Sequence, residues 1–336
     1  AYNCKHRFCS NCGWTDTIRW ADRLVGSMID MPHRHIVVTL PHCFNKLVFH
    51  NKKALLNLFL KTAAQALKVV VYDLFKVKIG IASVLHTFGE KKNVHIHTHM
   101  IVTWGGLTVN KKVLQLDKNQ RIDYNLIKDT FKRLFITGLI ELYKNNDIKT
   151  DFESDEEFIN FLNLQDQKKW IVNLDEPMPN PFALVKYIGR YSKRACLSDY
   201  KIKSYDQKTV GLKYKDYKET DQDGKPVEKV LHLSVKDFIF RVLQHVPLKG
   251  FKIVRYYGIY ANRKAIDKNE LFKNKDEYNQ NKKSEVYAFT DRDICKKCGG
   301  KLEYLYSLTI KKTIELNEPK SLNQFYQRDF LTQKSA

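Results

Sequence analysis

No run of about 18 apolar residues, the length a helix needs to cross a bilayer, occurs in the sequence, and the apolar stretch at residues 69–75 is far too short. A secretory signal is also missing. So are internal repeats and the GxxxxGK motif, followed by Ser or Thr, that a helicase-bearing replication protein would carry. Membrane association is therefore not expected. Acidic residues are in short supply: 37 Asp and Glu against 58 Lys and Arg leave a formal net charge of +21. A surplus spread over the whole length favours a polyanionic partner such as nucleic acid over a merely Lys-rich solvated surface. The remaining composition is globular. With 336 residues, 43% hydrophobic and 12% aromatic, the chain can build one large core or two to three smaller domains.

Cysteines are few and odd in number. Of the seven, Cys4, Cys9 and Cys12 form one cluster, Cys295 and Cys298 a second, and Cys43 and Cys196 stand apart. In a chain without a secretory signal this pattern points to a reducing, cytoplasmic compartment and to metal binding rather than disulfides. The spacing C-x4-C-x2-C suits tetrahedral zinc, with His6 or a residue upstream of Ala1 as the fourth ligand. Cys295 and Cys298 form a knuckle with only two ligands nearby, open between zinc and free thiols. Because the first residue is Ala and a metal-like cluster follows at once, the sequence is expected to start inside a longer chain.

Hydrophobic patterning places the main elements. Residues 15–30 are amphipathic. HRHIVVTLP at residues 33–41 is β-branched and ends at a proline, so it reads as a strand. Residues 52–75, rich in Ala and Leu, read as a helix. Two β-rich runs, 78–88 and 94–103, are separated by GEKKN and form a hairpin. Residues 126–143 read as a helix, and 150–157 as an acidic loop or helix start. In PMPNP, Asn180 can cap and Pro181 suits a first turn, so a helix is expected over residues 182–194. The polar stretch 200–230 reads as a solvated hairpin, 235–245 as a helix and 251–260 as a strand. Beyond residue 262 the chain is rich in Lys and Asn.

Chemistry concentrates in two places. The run VHIHTHMIVTWGGL begins at Val94, and strand alternation puts His95, His97 and His99 on one face. Two histidines at i and i+2 sit roughly 6–7 Å apart at Cβ and can converge on one ion, whereas an outer pair roughly 13 Å apart cannot. One of the three is therefore a neighbour or a substrate contact. In FALVKYIGRYSKR, Tyr187 and Tyr191 share a helix face, with Lys186, Arg190, Lys193 and Arg194 around them. A phenol with an unperturbed pKa near 10 is a poor nucleophile, but a nearby metal and cations favour its phenolate and polarise a phosphate. The alternative is an amphipathic helix with a packed tyrosine pair.

The ordered set CKHRFCSNC, HRHIVVTLP, LHTFG, HIHTHMIVTWGGL, KYIGRYSKR and VPLKGFKIVRYYGIYANR resembles the two-tyrosine rolling-circle transposases of bacterial insertion sequences, within the HUH endonuclease superfamily. The likeness runs from about Cys4 to Arg263. It implies an α+β fold: an HUH endonuclease-like antiparallel sheet flanked by helices, with a small N-terminal zinc-binding module. The implied division is a zinc module at 1–30, an HUH tyrosine transposase domain at 31–262, and a basic C-terminal region at 263–336 with the knuckle.

His97 and His99 match the metal pair, although Thr98 departs from the hydrophobic middle position and His95-Ile96-His97 fits the motif's name better. HUH proteins add a third polar ligand, for which His86 is the first candidate and Glu90 the second. Tyr187 and Tyr191 match the nucleophile pair, and Lys186, Arg190, Lys193 and Arg194 are expected to contact DNA. The resemblance implies Mg or Mn at the catalytic site, Zn at the cysteines, a 5′-phosphotyrosine intermediate, and single-stranded or locally melted DNA at element ends as substrate. A basic strand with interleaved aromatics at residues 252–260 suits such a strand of DNA. Two other readings are a rolling-circle replication initiator or relaxase, and a non-catalytic DNA-binding protein derived from a transposase. Target sequence and oligomeric state are not legible.

Overall fold

The computed structural model describes residues 20–261 apart from 22, 30, 111, 167, 179–184, 186–187 and 189–195. The strands are β1 (His33–Thr39), β2 (Gly80–Phe88), β3 (Val94–Thr103), β4 (Gly105–Leu107), β5 (Val113–Gln115), β6 (Ile171–Leu174), β7 (Ile202–Tyr205), β8 (Thr209–Thr220), β9 (Pro226–Ser234) and β10 (Val254–Gly258). Five of them build an antiparallel sheet in the order β10-β2-β3-β1-β6. The helices are α1 (Asn45–His50), α2 (Lys52–Phe75), α3 (Tyr124–Lys144), α4 (Asp155–Asp166) and α5 (Val235–Gln244). The mixed architecture, a mostly antiparallel sheet flanked by helices, is the one expected.

Alternation along the strands divides the sheet into two faces with different chemistry. Ile36, Val38, Ile81, Leu85, Ile96, Met100 and Val102 join the main core with α2 and α3. On α2 the residues Leu56, Phe59, Leu60, Ala63, Leu67 and Val70 recur at helical spacing, and this stripe is buried. Lys76, in the left-handed conformation, ends the helix by donating its N–H to the Tyr72 carbonyl. Helix α3 starts where the Asp123 side chain accepts the Asn125 N–H. By length and composition alone α2 is a candidate membrane span, which a search for unbroken apolar runs missed. Most of its apolar window is buried inside the protein, as in a core helix.

The second face carries Ala82, Val84 and Ile101. Trp20, Ala21 and Leu24, from a helical segment ahead of the sheet, cover it together with Met28, Ile29 and Met31. Val185 and Ile188, both helical, belong to the same cluster and are fully buried. Two features differ from expectation. The four-residue β6 was not anticipated, and the polar region 200–230 is a three-stranded meander, β7-β8-β9, rather than a hairpin. The extra strand arises because residues 202–205 turn back onto β8.

Strand β3 ends at Thr103, and after a bend at Trp104 two glycines open β4. Gly105 has φ +131°, and a Cβ on Gly106 would collide with the Lys78 carbonyl. That carbonyl accepts the Leu107 N–H at 3.0 Å, so the backbone cannot retreat without losing a bond. Gly106→Ala is expected to cost about 1–3 kcal/mol by overpacking. A urea midpoint equal to that of the unaltered chain would refute this.

Candidate metal centre on the histidine face

Strands β2 and β3 pair so that His86 lies opposite His97 and Val84 opposite His99. Cross-strand partners point the same way, so His86, His97 and His99 share the second face of the sheet. One ligand nitrogen from each of the three lies within 4.8 Å of the other two. Nitrogens around one ion at about 2.0–2.1 Å sit roughly 3–4 Å apart, so small ring rotations close the set on a cation.

Hydrogen bonds select the nitrogen each ring offers. His97 Nδ1 donates to the His95 carbonyl at 3.0 Å, which leaves Nε2 for the centre. His99 Nδ1 meets His35 Nε2 at 2.8 Å, which likewise leaves Nε2. Burial, opposed by the bond to the His95 carbonyl, lowers His97 to a pKa of about 4. Burial and the neighbouring His97 and His35 lower His99 to about 3. Both rings are therefore neutral at physiological pH, the form in which imidazole binds a metal. On these observations the three residues fit a divalent cation.

The remaining sequence candidates fall elsewhere. His95 is half-buried and outside the ligand trio: its ring lies 4.9 Å from that of His97, but its Nδ1 is engaged 3.3 Å from His42 Nε2. Glu90, the second choice for third ligand, is engaged by other partners: it binds Lys201 at 2.9 Å and accepts the Lys215 N–H at 3.3 Å. Burial opposes its ionisation, but Lys201 outweighs this and its pKa lies below the ordinary carboxylate value. Thr98, the polar residue at the motif's hydrophobic position, is fully buried on the opposite face. Its hydroxyl is paired with Ser83 Oγ at 2.8 Å and the Val84 carbonyl at 3.1 Å, so the departure leaves no unsatisfied group.

Tyr187, Tyr191, Lys186, Arg190, Lys193 and Arg194 lie outside the described residues, as do Cys4, Cys9, Cys12, Cys295 and Cys298. Within the tyrosine segment, Val185 and Ile188 are described, and they belong to the same buried cluster as Val84 and Ile101. Those two positions neighbour His86 and His99 at i±2 on the same strands and face. Cys43 and Cys196 are free thiols whose pKa values burial raises, Cys196 to about 11, so both stay protonated at neutral pH.

The aromatics expected to line a DNA groove at residues 252–260 are taken up by packing instead. Tyr256 accepts the Trp20 indole N–H at 2.8 Å. Tyr257 packs on the main core, and Tyr260 lies 2.7 Å from His33 Nε2. Pairing with β2 makes this stretch part of the sheet rather than a surface ribbon.

His33 yields a pH prediction. It is fully buried, and burial holds its pKa near 4 against the raising effect of its bond to the Met31 carbonyl. The unfolded histidine titrates near 6.5, so between pH 6.5 and 4 the unfolded chain binds more protons and stability falls as pH falls. The loss reaches on the order of 3 kcal/mol at the acid end. Chemical unfolding followed across this window is expected to show that decline, with a shallower slope in His33→Gln. An equal slope in the variant would refute the assignment. His245, held near 4 by burial, keeps the slope above zero.

Sequence inspection missed His35, His42 and Asp175. His35 carried a usable signal, since it stands in HRHIVVTLP with its side chain alternating onto the face of His33. Asp175 carried none, because the strand before it was not recognised.

Comparison with known proteins identifies relatives of the chain. Residues 80–267 match the Y2_Tnp family model, described as "Putative transposase", and residues 1–40 match a model described as "Transposase zinc-binding domain", of the IS91 type. The chain is 27% identical over 274 residues to "Putative transposase y4qJ" of Sinorhizobium fredii, covering 78% of this chain and 67% of that one. It is 29% identical over 272 residues to the transposase for insertion sequence element IS801 of Pseudomonas savastanoi pv. phaseolicola, covering 77% of this chain and 62% of that one. The chain thus spans about two thirds of the length of these relatives. A family model that takes in β2, β3, the three histidines and both tyrosines places the chain in the Y2_Tnp transposase family, with the zinc-binding region of IS91-type transposases at its N-terminus.

Proposed function

We propose that the chain cuts and rejoins single-stranded or locally melted DNA at the ends of an insertion sequence, with Tyr187 and Tyr191 as nucleophiles and His86, His97 and His99 as holders of Mg or Mn. One observation carries this: the ligand nitrogens of three histidines converge within 4.8 Å on the face where Val185 and Ile188 of the tyrosine segment are buried. When bound, the cation orients the scissile phosphate and stabilises charge developing on it. The phenolic oxygen of one tyrosine attacks the phosphorus and the bond to the 3′ oxygen breaks. The phenol proton passes to solvent or the leaving oxygen, and a 5′-phosphotyrosine and a free 3′-OH result. Attack by a 3′-OH on that linkage rejoins the strand and restores the tyrosine. A second tyrosine allows a second transfer without release of the first product.

Formal charge of +21 supports a nucleic-acid substrate, and Lys186, Arg190, Lys193 and Arg194 are the proposed phosphate contacts around the tyrosines. Zinc at Cys4, Cys9 and Cys12, with Cys295 and Cys298 as a second knuckle, is assigned a structural part. The test is incubation of the full chain with an end-labelled single-stranded oligonucleotide from an element end and Mg. A covalent protein–DNA band that EDTA prevents is expected. Metal-independent cleavage, or cleavage with no adduct, would count against the proposal.

A further inference from the structure

Behind His99, on the side away from the trio, stands a chain of polar groups drawn from three strands. His35 on β1 is 7% exposed, and its ring is parallel to that of His99, with centroids 5.1 Å apart. His35 Nε2 is 2.8 Å from His99 Nδ1, and His35 Nδ1 is 2.7 Å from Asp175 Oδ2. Asp175 follows β6, and its backbone N–H donates to the His35 carbonyl at 2.9 Å, so the two residues are tied twice.

We propose that Asp175 and His35 are positioning residues that fix His99 in the tautomer protonated at Nδ1, with the Nε2 lone pair aimed at the cation held by His86, His97 and His99. The proposal rests on that assignment of the trio. The direction of each bond follows from donor inventory. An ionised carboxylate only accepts, so His35 donates from Nδ1. With its ring proton on Nδ1, His35 presents Nε2 as an acceptor, and His99 donates from Nδ1, the arrangement that ligation through His99 Nε2 requires. Its one remaining lone pair lies on Nε2, across the ring. Such outer partners hold ring orientation and ligand basicity, and their loss typically costs about 10- to 100-fold in metal affinity. His97 obtains the same tautomer from the His95 carbonyl, a backbone group no side-chain change removes. His99, by contrast, depends on side chains for it.

The experiment is Mn2+ binding to the full chain, followed by the electron paramagnetic resonance of the free ion, in parallel with thermal unfolding in EDTA. Mn2+ is chosen because thiolate sites disfavour it. The unaltered chain is expected to bind one Mn2+ that His97→Ala abolishes. Asp175→Ala, at a side chain 62% exposed, is expected to unfold as the unaltered chain does and to bind several-fold to tenfold more weakly. His35→Ala should lose about 10- to 100-fold. His35→Gln should regain most of this, because its amide can accept from His99 and donate to Asp175. The double variant should be no weaker than His35→Ala, since the two groups act in series.

Wild-type affinity in both Asp175→Ala and His35→Ala overturns the proposal, as does full additivity in the double variant. If the unaltered chain binds no Mn2+, or His97→Ala binds normally, the metal centre itself fails and the positioning role fails with it. Those outcomes are distinct from a centre that binds Mn2+ indifferently to His35 and Asp175.

Discussion

His97→Ala and His99→Ala chains are expected to nick single-stranded DNA at least about a thousandfold more slowly than the unaltered chain while keeping its fold. A cation on the scissile phosphate supplies several kcal/mol of transition-state stabilisation, and each 1.36 kcal/mol is tenfold in rate. Loss of either ligand leaves two nitrogens of a three-nitrogen set, too few to hold a labile ion at ordinary concentrations. The fold should tolerate both changes, because the main core lies on the other face, with Ile96, Met100 and Val102, and neither histidine belongs to the apolar cluster on its own face. His95→Ala serves as the contrast: its ring pairs with His42, outside the trio, and its nicking rate is expected to stay within about tenfold of wild type. Steady-state nicking across Mn2+ concentrations decides the matter. Undiminished nicking by both His97→Ala and His99→Ala would remove these residues from the site.

A Tyr187→Phe/Tyr191→Phe chain is expected to form no covalent adduct with DNA while still binding the oligonucleotide. The substitution removes one oxygen from each ring and leaves the apolar ring in place, so packing around Val185 and Ile188 is preserved. Without either phenol the hydroxyl left in the segment is that of Ser192, an aliphatic alcohol far less acidic than a phenol, and it is not expected to form the ester. Each single variant is expected to keep part of the reaction, because one tyrosine still performs one transfer. Denaturing electrophoresis with a labelled strand is the measurement. An adduct persisting in the double variant would falsify the tyrosine assignment, whatever the metal dependence.

Most of the scaffold was legible because its signals are local. The β2–β3 hairpin, α2, α3 and α5 all follow from periodicity and from turn or cap residues within a few positions of one another. The convergence of His97 and His99 follows from alternation, and a hairpin is enough to bring His86 opposite. Other features depend on partners far along the chain. His42 meets His95 across 53 positions, and His35 meets Asp175 across 140. Nothing in a four-residue strand such as IVNL announces that it will pair with β1. The aromatics of β10 resemble a nucleic-acid-binding ribbon in composition. Only the pairing of that strand with β2 turns Tyr256 and Tyr257 inward. Likewise α2 has no unbroken apolar run, since Lys61, Gln65 and Lys68 interrupt it, yet it is among the most deeply packed helices.

The order of the strands along the chain also sets a timetable. His86, His97 and His99 sit on one hairpin, whose closure spans few residues and costs little entropy. The β1–β6 pairing joins residue 36 to residue 174, a late and slower event on the same argument. During synthesis the three imidazoles of the proposed metal centre can therefore gather before Asp175, Tyr187 and Tyr191 have been added. On the proposed roles, a chain terminated before residue 187 carries all three histidines but neither tyrosine, and can form no phosphotyrosine linkage through them.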